Sequence, residues 1–285
     1  MDRELNFANN SPLLYLIATP IGNLEEMNPR AISILKEVDY IASEDTRNSG
    51  SLMSYFKISK PFISCREHNE EEASSKIIKL LKEGKKIAYM SDAAYPAISD
   101  PGSRLVKNCL ENGIKVSVTS GPNAAINALV CSGLDSTHFY FHGFLSPKES
   151  ERNGELSGLA KKKETLIFYE SPHRISKTLI ALSSIFGNRK AVIARELTKT
   201  HEEFIRGDLF ELSLLDETTL KGEMVIVVEG NQEKEATVSD NQIALALKDQ
   251  LEFGKTGKEA VALVSASLKI KKNRVYDIYI NSFVK

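Results

Sequence analysis

The feature of the sequence that most constrains the fold is a regular alternation of short apolar runs with longer amphipathic stretches, from Leu13 to about Gly143. The apolar runs are rich in Ile, Val and Tyr, which is typical of strands, and the stretches between them have the spacing of helices. This alternation predicts strand-helix-strand units and a mostly parallel sheet. The predicted strands are Leu14–Ala18, Tyr40–Ser43, Phe62–Ser64, Lys86–Ser91 and Ile114–Thr119.

A second group of apolar runs and helical patterns follows the first. Because strands and helices again alternate, this group predicts a second α/β domain. The strands are expected near His138–Phe144, Thr165–Glu170, Ala191–Glu196 and Met224–Glu229, and the helices near Glu149–Lys162 and Pro172–Phe186.

The last part of the chain is predicted to form a small basic appendage, which resembles a helix-turn-helix unit. The polar stretch Asn231–Ser239 has the composition of a linker. From Gly254 to Lys285 there are seven basic residues and two acidic ones, which suggests an anionic partner. The helical patterns are Asp240–Leu251, Lys258–Leu268 and Lys272–Phe283. The expected domains are 12–143, 144–230 and 239–285.

Composition narrows the class of protein further. With 285 residues and 42% hydrophobic side chains, the chain is long enough for two packed cores. Its net charge of -1 argues against binding nucleic acid by bulk charge alone. Met1–Ser11 has no apolar signal-peptide core, and no run approaches the ~18 apolar residues of a membrane span, so a cytoplasmic location is expected. Cys65, Cys109 and Cys131 form no CxxC pair, so neither a disulfide framework nor a metal site is predicted.

The chemically unusual segments of the first group all follow predicted strands. The carboxyl ends of parallel strands meet at one edge of a sheet, and open α/β sheets bind their ligands there. These loops are therefore expected to line one crevice. They are Thr19–Asn23, Glu44–Arg47, Cys65–Asn69, Ser91–Gly102 and Ser120–Ala124.

The loop Ser91–Gly102 is the most informative of them. It exceeds the usual ~2–6 residues of such a connection, which favours a function, and its prolines and glycine suit a stiff turn that binds a small polar ligand. The alternative is a purely structural turn in which Asp100 caps the next helix. Thr19–Asn23 lacks the GxGxxG pattern, and the chain has no GxxxxGK[ST] motif, so a nicotinamide enzyme and a P-loop NTPase are disfavoured.

Charged residues lie at several predicted helix starts. Acidic residues are favourable there, so Glu44 and Asp45 fit either a structural or a catalytic role. Arg47, His173 and Arg174 instead place positive charge in a first turn, which is unfavourable by ~0.3–1 kcal/mol. A residue that departs from the local preference often has a ligand to bind.

In this order and spacing, the motifs resemble the rRNA small-subunit methyltransferase I family, a branch of the tetrapyrrole methylases. The resemblance covers about Leu13 to Gly230, with a weaker match over the basic tail. The motifs that carry it are Ile17–Leu24 (IATPIGNL), Ser43–Arg47 (SEDTR), Ser91–Ala93 (SDA), Ile98–Gly102 (ISDPG), Ser120–Pro122 (SGP), Phe168–Arg174 (FYESPHR), Ala194–Thr200 (ARELTKT) and Lys221–Met224 (KGEM).

The resemblance implies an α/β, two-domain tetrapyrrole-methylase (class III methyltransferase) fold with a small helical appendage. It also implies a homodimer that uses S-adenosylmethionine to methylate the ribose 2′-hydroxyl of a cytidine in 16S rRNA of the small ribosomal subunit. Carried over by position, the cofactor would be held by Pro20, Ile21, Ser91, Asp92, Ala93, Ile98, Ser120, Gly121, Ala124, Tyr169, Ala194, Gly222 and Met224.

Transfer to a ribose hydroxyl calls for a general base and for groups that hold the RNA. The base is expected among the carboxylates Glu44, Asp45 and Glu170, without a choice between them. Arg47, His173 and Arg174 are the residues expected to contact the RNA, because their positive charge suits phosphates.

One departure from the family pattern leaves other functions open. The family usually has Gly-Thr-Pro in the long loop, where this chain has Ala94, Tyr95 and Pro96. Ala94 adds a β-carbon and strain if the position needs a positive φ, and Tyr95 adds a large ring beside the expected cofactor. The alternatives are a methyltransferase acting on a small, tetrapyrrole-like molecule and a cofactor-binding or RNA-binding protein with weakened turnover.

Overall fold

A computed structural model of the chain describes residues 5–7, 12–232 and 238–284. In it, the first predicted sheet is confirmed: five strands pair in parallel in the order β3-β2-β4-β1-β5. Strand β1 lies between β4 and β5. The chain therefore forms β2, β3 and β4 on one side of β1 and then crosses to form β5 on the other side. The strands are β1 (Leu13–Ile17), β2 (Tyr40–Ser43), β3 (Phe62–Ser64), β4 (Ile87–Met90) and β5 (Lys115–Val118).

Helices cover both faces of this sheet, and alternating side chains of the strands pack under them. Ile41 and Ala88 face the core beneath α1 and α2, whereas Ala42 and Ile87 face the core beneath α3 and α4. Asn28 caps α1 by accepting a hydrogen bond from the Arg30 amide, as its residue type predicts. The helices are α1 (Pro29–Glu37), α2 (Thr46–Tyr55), α3 (Glu70–Lys82) and α4 (Ser103–Glu111), and α5 (Ala124–Ser132) follows β5.

The second sheet is mixed. Its order is β6-β7-β10-β8-β9, in which β6 and β7 are parallel and the remaining pairs are antiparallel. Strand β9, Glu203–Asp208, was not predicted from the sequence. The others are β6 (Phe139–Phe144), β7 (Thr165–Glu170), β8 (Lys190–Arg195) and β10 (Met224–Val228), and the helices are α6 (Glu149–Leu159), α7 (Ile175–Phe186) and α8 (Leu209–Ser213).

Helix α5 joins the two sheets. Its buried residues Ala125, Ala128 and Leu129 pack against Ile167 and Val225 of the second sheet. The opposite face of that sheet is covered by α6, α7 and α8 around the buried Phe168. The carboxyl edge of the first sheet therefore lies next to one face of the second.

The residues after Asn231 form a separate compact unit. Helices α9 (Asp240–Glu252), α10 (Gly257–Ser267) and α11 (Lys272–Phe283) confirm the three predicted helices, and they share a small apolar core that includes Leu247 and Val264. Ser239 and Thr256 cap α9 and α10 with capping boxes. Residues 233–237 of the predicted linker and Lys285 of the predicted tail lie outside the described residues.

The division into 12–143, 144–230 and 239–285 stays a proposal with one shift: because β6 (Phe139–Phe144) pairs with β7, we place the first boundary before Phe139. In the part of the chain that the structure describes, no helix is long and apolar enough to cross a membrane.

Candidate functional site

A cavity lies between the carboxyl edge of the first sheet and the second sheet. The first sheet contributes three connecting segments: Ile21 after β1, the loop 93–100 after β4, and Asn123 with Ala124 at the start of α5. The second sheet contributes Tyr169 to Pro172 after and within β7, Leu197 after β8, and Glu223 to Val225 at β10, with Phe144 at the end of β6.

Many of the cofactor-binding candidates line this cavity, and the others lie in the same loops or beside them. Gly222 lies before β10 with φ 84, a backbone conformation that favours glycine. The lining candidates are Ile21, Ala93, Ile98, Ala124, Tyr169 and Met224. The candidates outside the lining are Pro20, Ser91, Asp92, Ser120, Gly121, Ala194 and Gly222.

The backbone of the loop 91–102 is strained. Ala94, Ala97 and Ser99 have φ values of 56, 69 and 59, in the left-handed region that side chains other than glycine rarely adopt. Ala94 therefore does occupy a position that favours glycine. Two hydrogen bonds hold it, since Thr19 N–H donates to Ala94 O at 2.9 Å and Ala94 N–H donates to Thr19 O at 3.1 Å. Strain of this kind is commonly found at functional sites.

Tyr95 connects this loop to the turn before α5. The Gly121 N–H donates a hydrogen bond to the Tyr95 hydroxyl at 3.0 Å, and the Tyr95 ring lines the cavity. The residue that departs from the family pattern thus fixes the relative position of two segments of the cavity wall.

Tyr95→Phe should loosen that wall, because the Gly121 amide loses its acceptor. We expect a loss of ~0.5–1.5 kcal/mol of local stability and about a threefold to tenfold faster hydrogen exchange at Gly121. Amide exchange measured by NMR tests this, with Tyr55→Phe on the exposed part of α2 as the matched control. Unchanged exchange at Gly121 would contradict the assigned role.

Asp100 is a half-buried carboxylate on the cavity wall, and it does not cap the following helix. The N-cap of α4 is Gly102, and the buried Glu70 of α3 accepts the Gly102 and Leu105 amides at 3.1 and 3.0 Å. Burial and then the charges of Glu44 and Asp92 raise the pKa of Asp100 to about 6. The expectation that Asp100 caps α4 is therefore wrong.

The adjacent carboxylates Glu44 and Asp45 lie in different environments. Burial, followed by the neighbouring charge of Asp92, raises the pKa of Glu44. Asp45 caps α2 by accepting the Arg47 amide at 2.8 Å, and this hydrogen bond lowers the pKa of Asp45. Neither carboxylate lines the cavity, and the Arg47 side chain beside them is 86% exposed.

Glu170 is the most deeply buried of the candidate carboxylates, with a side chain that is 0% exposed. It accepts hydrogen bonds from the Ser171 amide at 2.8 Å and the Thr178 hydroxyl at 2.6 Å, and the Arg174 guanidinium lies 3.2 Å away. Arg174 also donates to the Leu145 carbonyl at 2.5 Å. The Arg174 guanidinium is therefore bound to groups of the second sheet and its connecting segments, whereas His173 beside it is exposed.

The cavity also contains residues that sequence reasoning did not single out. Leu197 and Glu223 line it from inside the ARELTKT and KGEM motifs, so the motifs themselves were the available signal. Asn123 lines it as the N-cap of α5, and Phe144 ends β6 with no motif around it.

Comparison with known proteins agrees with this geometry. The model of the family Tetrapyrrole (Corrin/Porphyrin) Methylases matches residues 13–213. Ribosomal RNA small subunit methyltransferase I of Bacillus subtilis (strain 168) is 43% identical, over 97% of this chain and 98% of the relative. The chain belongs to the tetrapyrrole methylases, in the branch of ribosomal RNA small subunit methyltransferase I.

Other members of this tetrapyrrole methylase branch match over similar lengths. The same-named protein of Halalkalibacterium halodurans is 45% identical over 93% of this chain and 94% of its own, and that of Pasteurella multocida is 41% identical over 96% and 99%.

Solved structures support the tetrapyrrole methylase fold. Uroporphyrin-III-C-methyltransferase from Thermus thermophilus aligns with a TM-score of 0.55 at 17% identity, over 76% of this chain and 94% of that one. The methyltransferase CobJ aligns with a TM-score of 0.60 at 15% identity, over 80% and 97%. At these identities the likeness concerns the fold alone.

Proposed function

We propose that the chain transfers a methyl group from S-adenosylmethionine to the ribose 2′-hydroxyl of a cytidine in 16S rRNA of the small ribosomal subunit. The observation that carries the proposal is the match of 41–45% identity, over nearly the whole chain, to proteins named ribosomal RNA small subunit methyltransferase I. The cavity between the two sheets supplies a place for the reaction. An RNA substrate in the ribosome also supports a cytoplasmic location.

The cavity suits the cofactor in its charge and its apolar surface. Its charged lining residues are the carboxylates Asp100, Glu170 and Glu223, and no cationic side chain is among the described residues that line it. Because Glu170 and Glu223 are paired with Arg174 and Lys199, the Asp100 carboxylate is the charge of the lining that favours a sulfonium cation. Ile98, Met224 and the other apolar side chains of the wall could cover an adenine ring.

When bound, S-adenosylmethionine supplies a methyl group already activated by a positively charged sulfur. The protein then has to orient the hydroxyl, exclude water and remove a proton. Orientation alone corresponds to an effective molarity of ~10⁵–10⁸ M. The stiff loop 91–102 and the Tyr95–Gly121 hydrogen bond suit this requirement, because they fix the wall before any ligand arrives.

The three carboxylates expected from sequence as the general base differ in the hydrogen bonds and ion pairs that hold them. Asp45 caps a helix, and Glu170 is held by three partners, so both have structural roles that a base does not need. The Glu44 side chain has no such role among the described residues, and its raised pKa makes it the strongest of the three candidates.

The proposed partners are the small subunit and a second copy of the chain. Arg47 and His173 are exposed near the cavity loops and could contact RNA phosphates, and Arg174 could contact RNA only by leaving Glu170. The exposed Val118, Ile126 and Val130 on β5 and α5 offer an apolar surface for a homodimer. Sedimentation of the purified protein tests the dimer.

Ribose-methylation mapping of 16S rRNA from cells with and without the protein tests the function. We expect one cytidine to lose its 2′-O-methyl group, and purified protein with labelled S-adenosylmethionine to restore it on isolated small subunits. Cofactor binding without transfer to RNA would contradict the proposal and favour the small-molecule or binding alternatives.

Arg47→Ala should weaken binding to small subunits several-fold and lower the slope of log affinity against log salt by about one. The reason is that the Arg47 guanidinium is exposed on α2, next to Asn48 that contacts the loop 91–102, and can neutralise one phosphate. Titrations over a salt series measure both quantities.

Arg47→Lys is the conservative control and should keep the slope. Lys107→Ala, which removes an exposed cation from α4, should leave affinity and slope unchanged. Equal losses in Arg47→Ala and Lys107→Ala would indicate a nonspecific charge effect and contradict the assignment of Arg47.

A further inference from the structure

The carboxylates on the cavity wall differ sharply in the contacts they make. Glu170 is held by Ser171, Thr178 and Arg174, and the Glu223 carboxylate lies 3.2 Å from the Lys199 ammonium. Asp100 takes part in no ion pair among the described residues, and its position before α4 is not explained by capping. Among the lining carboxylates, Asp100 is therefore the one that serves neither an ion pair nor a helix cap.

The charged groups that act on the Asp100 carboxyl are themselves carboxylates. Glu44 at the end of β2 and Asp92 in the same loop raise its pKa, and a hydrogen bond with the Ser91 side chain opposes them in part. The charge of Asp100 in turn helps to raise the pKa of Tyr89 in β4 and of Tyr169 in β7.

These surroundings suit a proton acceptor. An aspartate with a pKa of about 6 is largely ionised at neutral pH, yet it accepts a proton more readily than an ordinary exposed aspartate. Asp100 lines the cavity between the two sheets, which is where the substrate hydroxyl is proposed to bind.

We infer that Asp100, rather than Glu44, Asp45 or Glu170, is the general base that takes the proton from the substrate hydroxyl. The inference rests on the proposed function. The hydroxyl oxygen forms the new bond to the methyl carbon, the bond from that carbon to sulfur breaks with its electron pair kept by sulfur, and the hydroxyl proton passes to the Asp100 carboxylate. The products are the methyl ether, a neutral thioether and a protonated Asp100, which releases its proton to solvent.

The first test is Asp100→Asn, which keeps the size of the side chain and removes the proton acceptor. We expect the methylation rate on small subunits to fall by about 10²–10⁴-fold. Calorimetry should find the affinity for S-adenosylmethionine within about threefold of the unsubstituted protein. A rate within threefold would overturn the inference, and a large loss of affinity would also overturn it by making Asp100 a cofactor ligand.

The pH dependence separates Asp100 from Glu44. The rate of the unsubstituted protein should fall as pH drops through about 6, where Asp100 becomes protonated. Glu44→Gln removes a charge that raises this pKa, so the acid limb of the transfer that this variant retains should move to lower pH. Loss of transfer in Glu44→Gln, with normal transfer in Asp100→Asn, would assign the base to Glu44 instead. Asp216→Asn, an exposed cap in the second lobe, should leave the limb in place.

The pKa of Asp100 also predicts an effect on stability, which can be measured without an activity assay. Its pKa is about 6 in the fold against an ordinary 3.8, so the folded protein binds more protons between these values and stability falls as pH rises through them. Asp100→Asn should therefore have a higher melting temperature than the unsubstituted protein at pH 8 and a smaller advantage near pH 4. A carboxyl NMR titration should show a group near pH 6 that is missing in Asp100→Asn.

These measurements distinguish the inference from the proposed function. If the unsubstituted protein fails to methylate small subunits, the proposed function fails, whatever the titration shows. If it methylates them and Asp100→Asn does so at the same rate, the inference alone fails. A cooperative melting transition of the Asp100→Asn protein verifies that this variant is folded.

Discussion

Replacing Glu170 with alanine should lower the free energy of unfolding by about 3–5 kcal/mol, because it leaves the Arg174 charge partly buried without its partner. The Thr178 hydroxyl and the Ser171 amide lose an acceptor in the same change. Urea denaturation measures the loss. Glu170→Gln removes the charge but keeps one acceptor oxygen for either the Ser171 amide or the Thr178 hydroxyl, so its loss should be smaller.

The matched control is an exposed ion pair in the same lobe. Glu151→Ala breaks the pair with Lys148 on the exposed start of α6, where such pairs contribute ~0–1 kcal/mol. If Glu170→Ala cost no more stability than Glu151→Ala but abolished methylation, Glu170 would belong to the chemistry instead of the scaffold.

This prediction bears on how a motif is interpreted. Glu170 and Arg174 stand out in the sequence because they lie in one charged segment that resembles the family. The structure places their charges against each other and against the start of α7. Helix position alone could not reveal this pairing, since the sequence does not show that β7 and α7 turn the two side chains inward.

The first sheet could be predicted from sequence because its strands are mostly apolar and its helices are amphipathic. Strand β9 could not, because Glu203–Asp208 is a partly exposed edge strand with charged residues at three of its six positions. The edge position removes the apolar signal that the buried β10 shows along its whole length. Alternation predicts buried strands better than edge strands for this reason.

The role of Asp100 could not be predicted for a different reason. The sequence offers Asp100 as a cap, and only the fold shows that Glu70, at the start of α3 beside α4, already accepts the Gly102 and Leu105 amides. The pKa of Asp100 depends on Glu44, which another strand brings near it. Local sequence carries no information about either neighbour.

Gly121→Ala should have the second large effect, on the cofactor. A β-carbon at Gly121 would lie 2.6 Å from the Ala18 β-carbon, which is closer than such atoms approach, so the turn 120–123 has to move. Movement breaks the hydrogen bond to Tyr95 and displaces the start of α5, whose residues line the cavity. Crowding of this kind costs ~1–3 kcal/mol.

Since the cofactor is proposed to contact this turn, we expect at least a tenfold loss of affinity for S-adenosylmethionine, or ~1.4 kcal/mol, measured by calorimetry. Gly50→Ala is the matched control, because a β-carbon at Gly50 in α2 meets nothing within 4 Å. That change should keep the affinity and raise stability by up to ~1 kcal/mol. Tyr95→Phe breaks the same hydrogen bond without the crowding. An intermediate loss in Tyr95→Phe would assign part of the effect to the Tyr95 contact, whereas full affinity in Gly121→Ala would place the cofactor away from this turn.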